Sequence, residues 1–212
     1  MKIVLNFYCA ILINCLFFAF FAHTEYIFVS NENSDTITVL DKNTKDIVAN
    51  VSTGGRPRDM KFNQDNSLLY IVVSEENHIA ILDTNTLKII DFINSGEDPE
   101  IFDIHPRKNM LAVSNEDDNE LTIIDLSKKK IFATIEDVGV EPEGVNFSPD
   151  GKYIYVTSEG TNSIIIIDVE KKIITNEILV GNRPRRGLFI KNGKEYWVSN
   201  ELSGSVSVID TK

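Results

Sequence analysis

The sequence predicts an all-β fold, a β-propeller of four-stranded antiparallel blades, on three observations. Aspartate recurs as Asp41, Asp83, Asp125, Asp168 and Asp210, at steps of 42, 42, 43 and 42 residues. Proline recurs as Pro57, Pro99, Pro142 and Pro184, at steps of 42, 43 and 42. Two independent markers that keep one period along the chain identify a repeat protein. The third observation is apolarity on both faces of the central strands, plainest in Ile164–Ile167. A sheet with one wet face would alternate, so these units must be sandwiched between neighbours. Four-stranded units with a period near 42 that pack face to face around a channel make a propeller.

Residues 1–22 stand apart from the repeats. Met1-Lys2 is a short basic start, and Ile3–Ala22 is apolar apart from Asn6, Asn14 and a few small residues. That pattern reads as a signal peptide, with an uncleaved N-terminal anchor as the alternative because the apolar run is long. Residues 23–212 then form the propeller, in the periplasm or outside the cell. Both cysteines, Cys9 and Cys15, fall in the leader, so the rest has no disulfide, thiolate nucleophile or cysteine metal site. It keeps all 32 acids and 20 of the 21 basic residues, a net charge of −12. Nucleic acid is excluded as a general partner, and a membrane enters only if the leader is retained.

Each repeat supplies four strands, a to d. Strand a follows the proline and ends at Phe62, Ile104, Phe147 or Phe189. Strand b is YIFVS, LLYIV, MLAVS, YIYVT or EYWVS, and strand c is ITVLD, IAILD, LTIID, IIIID or VSVID. Strand d lies around 47–51, 89–93, 131–135 and 173–178. Pro149-Asp150-Gly151 and Asp41-Lys42-Asn43 supply turn chemistry between them. Strands b, c and d precede Pro57, and a, b and c follow Pro184, with three complete blades between. Five repeats of 42 residues therefore read as part of a larger, seven-bladed ring, with two blade faces and a strand edge left open.

From Tyr26 onward the repeat resembles the YVTN β-propeller repeat. The differences between blades resemble, more narrowly, the PQQ-dependent catabolism-associated β-propeller proteins. The residues that carry the likeness are Gly55-Arg56-Pro57-Arg58, Asp98-Pro99-Glu100 with Phe102 and His105-Pro106, and Asn115-Glu116-Asp117-Asp118-Asn119. Val140-Glu141-Pro142-Glu143-Gly144, Ser158-Glu159 with Thr161-Asn162, Arg183-Pro184-Arg185, and Trp197-Val198-Ser199 with Glu201 continue it. The family has a complete ring, and this sequence lacks roughly its last third. The resemblance implies an exported accessory role beside quinoprotein alcohol or amine oxidation, with a periplasmic quinoprotein dehydrogenase as partner and no reaction of its own. Wider relatives hold haem or form a dehydrogenase subunit, so a redox site has to be weighed.

The sequence offers little for one. No CxxCH binds haem covalently, and the histidines are His23, His78 and His105 alone. His78 and His105 read as turn or surface residues rather than ligands, so neither metal nor cofactor is expected. No Ser-His-Asp order or phosphate loop stands out. One constellation is ordered. Of six arginines, five flank the repeat prolines: Arg56, Arg58, Arg183, Arg185 and Arg186. The equivalent places in the two intervening blades are acidic, Asp98 and Glu100, then Glu141 and Glu143. These d–a turns ring one mouth of the channel, where the b–c loops bring Glu32, Glu75, Glu116, Asp117, Asp118, Glu159 and Glu201.

Successive blades of a seven-bladed ring turn by about 51°, which sets Arg58 and Arg185 about 150° apart and facing each other. Paired guanidinium donors suit a small anionic ligand. The competing reading is a rim locked by Arg–Glu pairs. The functional expectation is a binding or docking propeller rather than an enzyme. The alternative is a redox or lactonase-like enzyme with its site at the same mouth.

Overall fold

The computed structural model describes residues 25–212, and the leader lies outside them. The described residues form five antiparallel sheets and no α-helix. Blade 1 is β1 (Tyr26–Asn31), β2 (Thr36–Asp41) and β3 (Ile47–Ser52). Blade 2 is β4 (Pro57–Phe62), β5 (Leu68–Val73), β6 (His78–Asp83) and β7 (Lys88–Asn94). Blade 3 is β8 (Pro99–Ile104), β9 (Met110–Asn115), β10 (Glu120–Asp125) and β11 (Lys130–Ile135). Blade 4 is β12 (Pro142–Phe147), β13 (Tyr153–Ser158), β14 (Ser163–Asp168) and β15 (Ile173–Leu179). Blade 5 is β16 (Pro184–Ile190), β17 (Glu195–Asn200) and β18 (Ser205–Asp210). Each sheet is a meander in chain order, so the propeller architecture and the strand sequence stand as read.

The core is four layers, one between each pair of blades. In β5, Leu69, Ile71 and Val73 pack toward blade 1 with Ile37 and Val39. Tyr70 and Val72 of the same strand pack toward blade 3 with Phe102, Leu111 and Val113. In β14, Ile165 and Ile167 face blade 3, while Ile164 and Ile166 face Tyr196 and Val198 of blade 5. Successive strand residues point to opposite faces, and both faces are dry, so the strands carry no alternation. The outer faces of the two end blades are open. Ile27 and Val29 are exposed where their repeat equivalents Leu69 and Ile71 are buried. Trp197, Val206 and Val208 are exposed where Tyr155, Ile164 and Ile166 are buried.

The periodic aspartate has a local cause. Its Oδ1 accepts the amide N–H groups two and three residues on: Asn43 and Thr44 from Asp41, Asn85 and Thr86 from Asp83. Asp125 and Asp168 do the same for Ser127 and Lys128, and for Glu170 and Lys171. Each c–d turn is thus closed by one carboxylate, and those amide bonds hold all four carboxyls below their ordinary range.

The d–a turns carry a feature that proline alone does not announce. The residue before each repeat proline, Arg56, Asp98, Glu141 or Arg183, is left-handed, with φ of 59°, 42°, 54° and 55°. Sterics push a pre-proline residue toward extended backbone, so something must hold it. The holder is a side chain from the preceding blade's b–c loop. Asp35, Asn77, Asn119 and Asn162, each left-handed itself, accept the N–H of Arg56, Asp98, Glu141 and Arg183 at 2.8–3.0 Å. Asn162→Ala removes both an acceptor and a side chain that tolerates positive φ, and should destabilise the fold by about 1–2 kcal/mol. Asn162→Asp, which restores the acceptor as Asp35 supplies it, should recover most of that loss. Urea denaturation midpoints of the two variants test the staple.

Candidate functional site

Strand a of blades 2 to 5 begins with a β-bulge, a register shift between Pro57 and Met60, Pro99 and Phe102, Pro142 and Val145, and Pro184 and Gly187. A bulge re-aims the side chains it contains. Here those are Arg58, Glu100, Glu143 and Arg185, one repeat position in four successive blades. Hydroxyls of the preceding blade fix the bulged backbone. Ser74 donates to the Pro99 carbonyl (2.6 Å), Ser114 to Glu143 (2.6 Å) and Thr157 to Arg185 (2.7 Å). Gly144 lets blade 5 approach, since a Cβ there would lie 2.4 Å from the Arg185 carbonyl.

The four side chains meet. Arg58 pairs with Glu100, and its Nη2 lies 3.6 Å from Oε1 of Glu143. Arg185 Nη2 reaches the same Glu143 oxygen at 3.2 Å. The two arginines therefore converge from blades 2 and 5, on a carboxylate of the protein. Arg56 spans Glu32 (3.0 Å), Asp98 (3.2 Å) and Glu100 (3.5 Å). Arg58 also holds Glu32 (3.1 Å). On the other side Glu159 takes Arg183 and Arg185, both at 2.5 Å, and Glu201 lies 3.4 and 3.9 Å from them. Arg186 reaches from blade 5 to Asp59 of blade 2 (3.4 Å).

Of the nine residues singled out from sequence, eight join this network. Glu141 enters it through its backbone, as the acceptor for Glu159 N–H and the donor to Asn119. Asp59 was missed. The available signal was charge reversal at one repeat position, Asp59 in blade 2 against Arg186 in blade 5. The pairs are also less exposed than a rim suggests. Glu100, Glu143 and Glu159 are 0%, 4% and 5% exposed.

Burial pushes the Glu100 carboxyl up to about 8, helped by the Glu143 charge and opposed by Arg58 and Arg56. Burial likewise raises Glu143, and Arg185 and Arg58 bring it only part of the way back. Asp98 and Glu116 are raised by burial too. Glu32, near solvent, is held low by its hydrogen bond from Arg56. Seven carboxylates thus face five guanidiniums in the ion pairs of the described mouth. Arg183, Arg185 and Arg186 are its more open groups. Beside them lies a groove of about 560 Å³ lined by Arg185, Ser199, Asn200, Glu201, Gly204, Ser205 and Val206.

Both described histidines stand outside this network. His105 is not a surface residue as expected; it is 5% exposed and closes its own turn. Its Nδ1 accepts from Arg107 and Lys108 N–H (3.0 and 2.9 Å), and Nε2 lies 3.1 Å from the Gly151 carbonyl. His78 is half-buried at the start of β6, edge-on to Phe92.

Comparison with known proteins gives the following. Residues 105–212 match the family model described as cytochrome D1 heme domain, and residues 21–86 match that of the lactonase, 7-bladed beta-propeller. A solved structure described as a functionally unknown protein from Desulfotomaculum acetoxidans DSM 771 aligns with a TM-score of 0.72 at 17% identity. That alignment covers 87% of this chain and 65% of the other, so it shows the fold alone. No curated protein matches. The first family description implies a haem, and the mouth described above offers no histidine to hold one, since His105 and His78, whose buried Nε2 has no hydrogen-bond partner, both lie outside it. Both His105 nitrogens are spent on backbone, a Cβ on Gly151 would lie 2.5 Å from its ring, and the mouth offers carboxylates and guanidiniums.

Proposed function

The chain belongs to the family described as cytochrome D1 heme domain, and from that premise we propose a propeller that binds a ligand at the channel mouth without transforming it. The observation that carries this is the convergence of arginines from blades 2 and 5 through matching bulges, with Arg183, Arg185 and Arg186 open beside a groove. Arg183 and Arg185, like the arginines of blade 2, pair with buried acids, so the anion-accepting group is Arg186 at blade 5, the most exposed of the five. A small carboxylate-bearing ligand would take paired N–H donors from Arg186 and Arg185. The Glu100–Glu116 side would orient a cationic group on the same molecule. Asn200, whose buried Oδ1 has no hydrogen-bond partner, adds an acceptor at the groove. Export, and service beside a periplasmic quinoprotein dehydrogenase, draw support from the leader and from the blade-specific motifs.

Arg186 is the discriminating residue, because its side chain is 61% exposed and, among the described residues, its one ion pair is to Asp59. Arg186→Gln should weaken calorimetric binding of small dicarboxylates and amino acids at least tenfold, with the melting temperature unchanged. Equal affinity in the variant would remove the site. The lactonase-type match supports a second reading, lactone hydrolysis at the same mouth. Lactone turnover that survives Arg186→Gln and disappears in Glu100→Gln would favour it.

A further inference from the structure

We propose that the end of the propeller opposite the mouth is a docking surface for an anionic lipid bilayer. In these meanders the a–b and c–d turns lie at one end of every blade, and the b–c and d–a turns at the other. Of the fourteen lysines among the described residues, thirteen lie in or beside the a–b and c–d turns, and Lys61 in strand a is the exception. Arg107 joins them, while the other five arginines stay at the mouth with the acidic b–c loops. A net charge of −12 speaks against an anionic surface only if it is evenly spread, and it is not. Acids share the lysine end, but Asp41, Asp83, Asp125 and Asp168 turn Oδ1 back onto the amides of their own turns. Lys88, Lys108, Lys130, Lys172 and Lys194 are exposed there and form no ion pair among the described residues.

The lysines lead directly into exposed apolar pairs. Lys45-Asp46 precedes Ile47-Val48, Lys88 precedes Ile89-Ile90, Lys130 precedes Ile131-Phe132, and Lys172 precedes Ile173-Ile174. Apart from Ile89 these side chains are all exposed, from 38% at Ile174 to 63% at Ile47. Each pair opens the outermost strand of its blade at the lysine end, so the pattern recurs on every described blade that has a strand d. Lys172 carries it from blade to blade, its Nζ 4.0 Å from the centre of the Phe132 ring. A protein partner would need one such patch. Basic and apolar groups repeated along one end of four blades suit a plane, with lysines at the headgroups and the strand starts sunk about 5–10 Å into the acyl boundary. The chain also enters here. Lys42 N–H donates to the Glu25 carbonyl (2.8 Å), so the apolar stretch Ile3–Ala22 joins the fold beside the lysine turns.

The test is flotation of the full chain with vesicles of phosphatidylcholine alone and of phosphatidylcholine with about one-third phosphatidylglycerol, at low and high salt. The leader is common to every arm, so the readout is the gain in binding that phosphatidylglycerol adds. A gain of at least tenfold is expected at low salt, most of it lost at high salt. Lys88→Gln, Lys130→Gln and Lys172→Gln together should remove most of that gain with the melting temperature unchanged, since none of the three is ion-paired. Ile131→Ser with Ile173→Ser should weaken anionic binding while keeping its salt dependence. Asn33→Asp, Ser34→Asp and Ser203→Asp together make the same change of charge in exposed b–c loops at the mouth end and should preserve the gain. Equal binding to the two vesicles would overturn the proposal and leave an acidic protein as the partner for the lysine end. So would a gain that survives the triple glutamine variant, or one that the mouth-end variant lowers equally, which would report net charge alone.

Discussion

Replacing Arg58 by alanine should destabilise the fold by about 3–5 kcal/mol at pH 9, above the folded titration of Glu100 at about 8, the range for breaking a buried ion pair from one side. Arg58 is 16% exposed and is the bridge between Glu100 and Glu143, both buried, as well as Glu32. Its removal leaves two inward carboxyls facing each other across blades 3 and 4. Arg186→Ala provides the contrast, since an exposed pair contributes little and a change under 0.5 kcal/mol is expected. The coupling is sharper evidence than either value. Once Glu100 is glutamine, Arg58→Ala should cost clearly less, because one of the stranded charges is gone. Urea denaturation followed by the fluorescence of the single tryptophan, Trp197, measures all four corners of the cycle. Additive effects, or an Arg58→Ala loss below 1 kcal/mol, would show that the network merely decorates the mouth.

Short-range and long-range features of this fold differ in how far the sequence discloses them. Features set within a single strand or turn were legible. Asp41, Asp83, Asp125 and Asp168 repeat because each closes its own turn, so their spacing reports the blade directly. Ile164–Ile167 disclosed a strand buried on both faces for the same reason. The arginine turns were legible as a set, because charge varied at fixed repeat positions. What could not be read was burial and aim. Glu100 and Arg58 lie on one repeat position, and nothing in their order says that a bulge turns both inward. The left-handed residue before each proline depends on Asn77 or Asn119 in another blade, a contact of sequence separation 21 or 22. His105 looked like a surface turn because its partner, Gly151, arrives from the next blade.

The proton on Glu100 gives the mouth a pH dependence whose sign is fixed. Its folded value of about 8 lies above the ordinary carboxyl value of 4.5, so between the two the folded protein holds a proton that the unfolded chain has released. Stability from this group is therefore full below about 4.5, falls as pH rises, and is lost above about 8. The slope is about 1.4 kcal/mol per pH unit, a total of a few kcal/mol. The groups facing Glu100 are Arg58 and Arg56, which oppose the shift, and Glu143 and Asp98, which enlarge it. Asp98, Glu116 and Glu143 are themselves raised and act in the same direction. His78 and His105, lowered by burial, oppose it below about 6.5, because the unfolded chain then binds the extra protons. The raw profile is thus mixed below 6.5, and the difference from Glu100→Gln isolates the one carboxyl. In chelator, to keep cations out, the variant should gain on the native protein by about 1.4 kcal/mol for each pH unit between 5 and 8, then run parallel to it. At pH 5 the two should be nearly equal, since glutamine mimics the protonated acid in shape. Stability curves that stay parallel across the whole range would mean that Glu100 is ionised in the folded protein, and that Arg58 and Arg56 outweigh its burial.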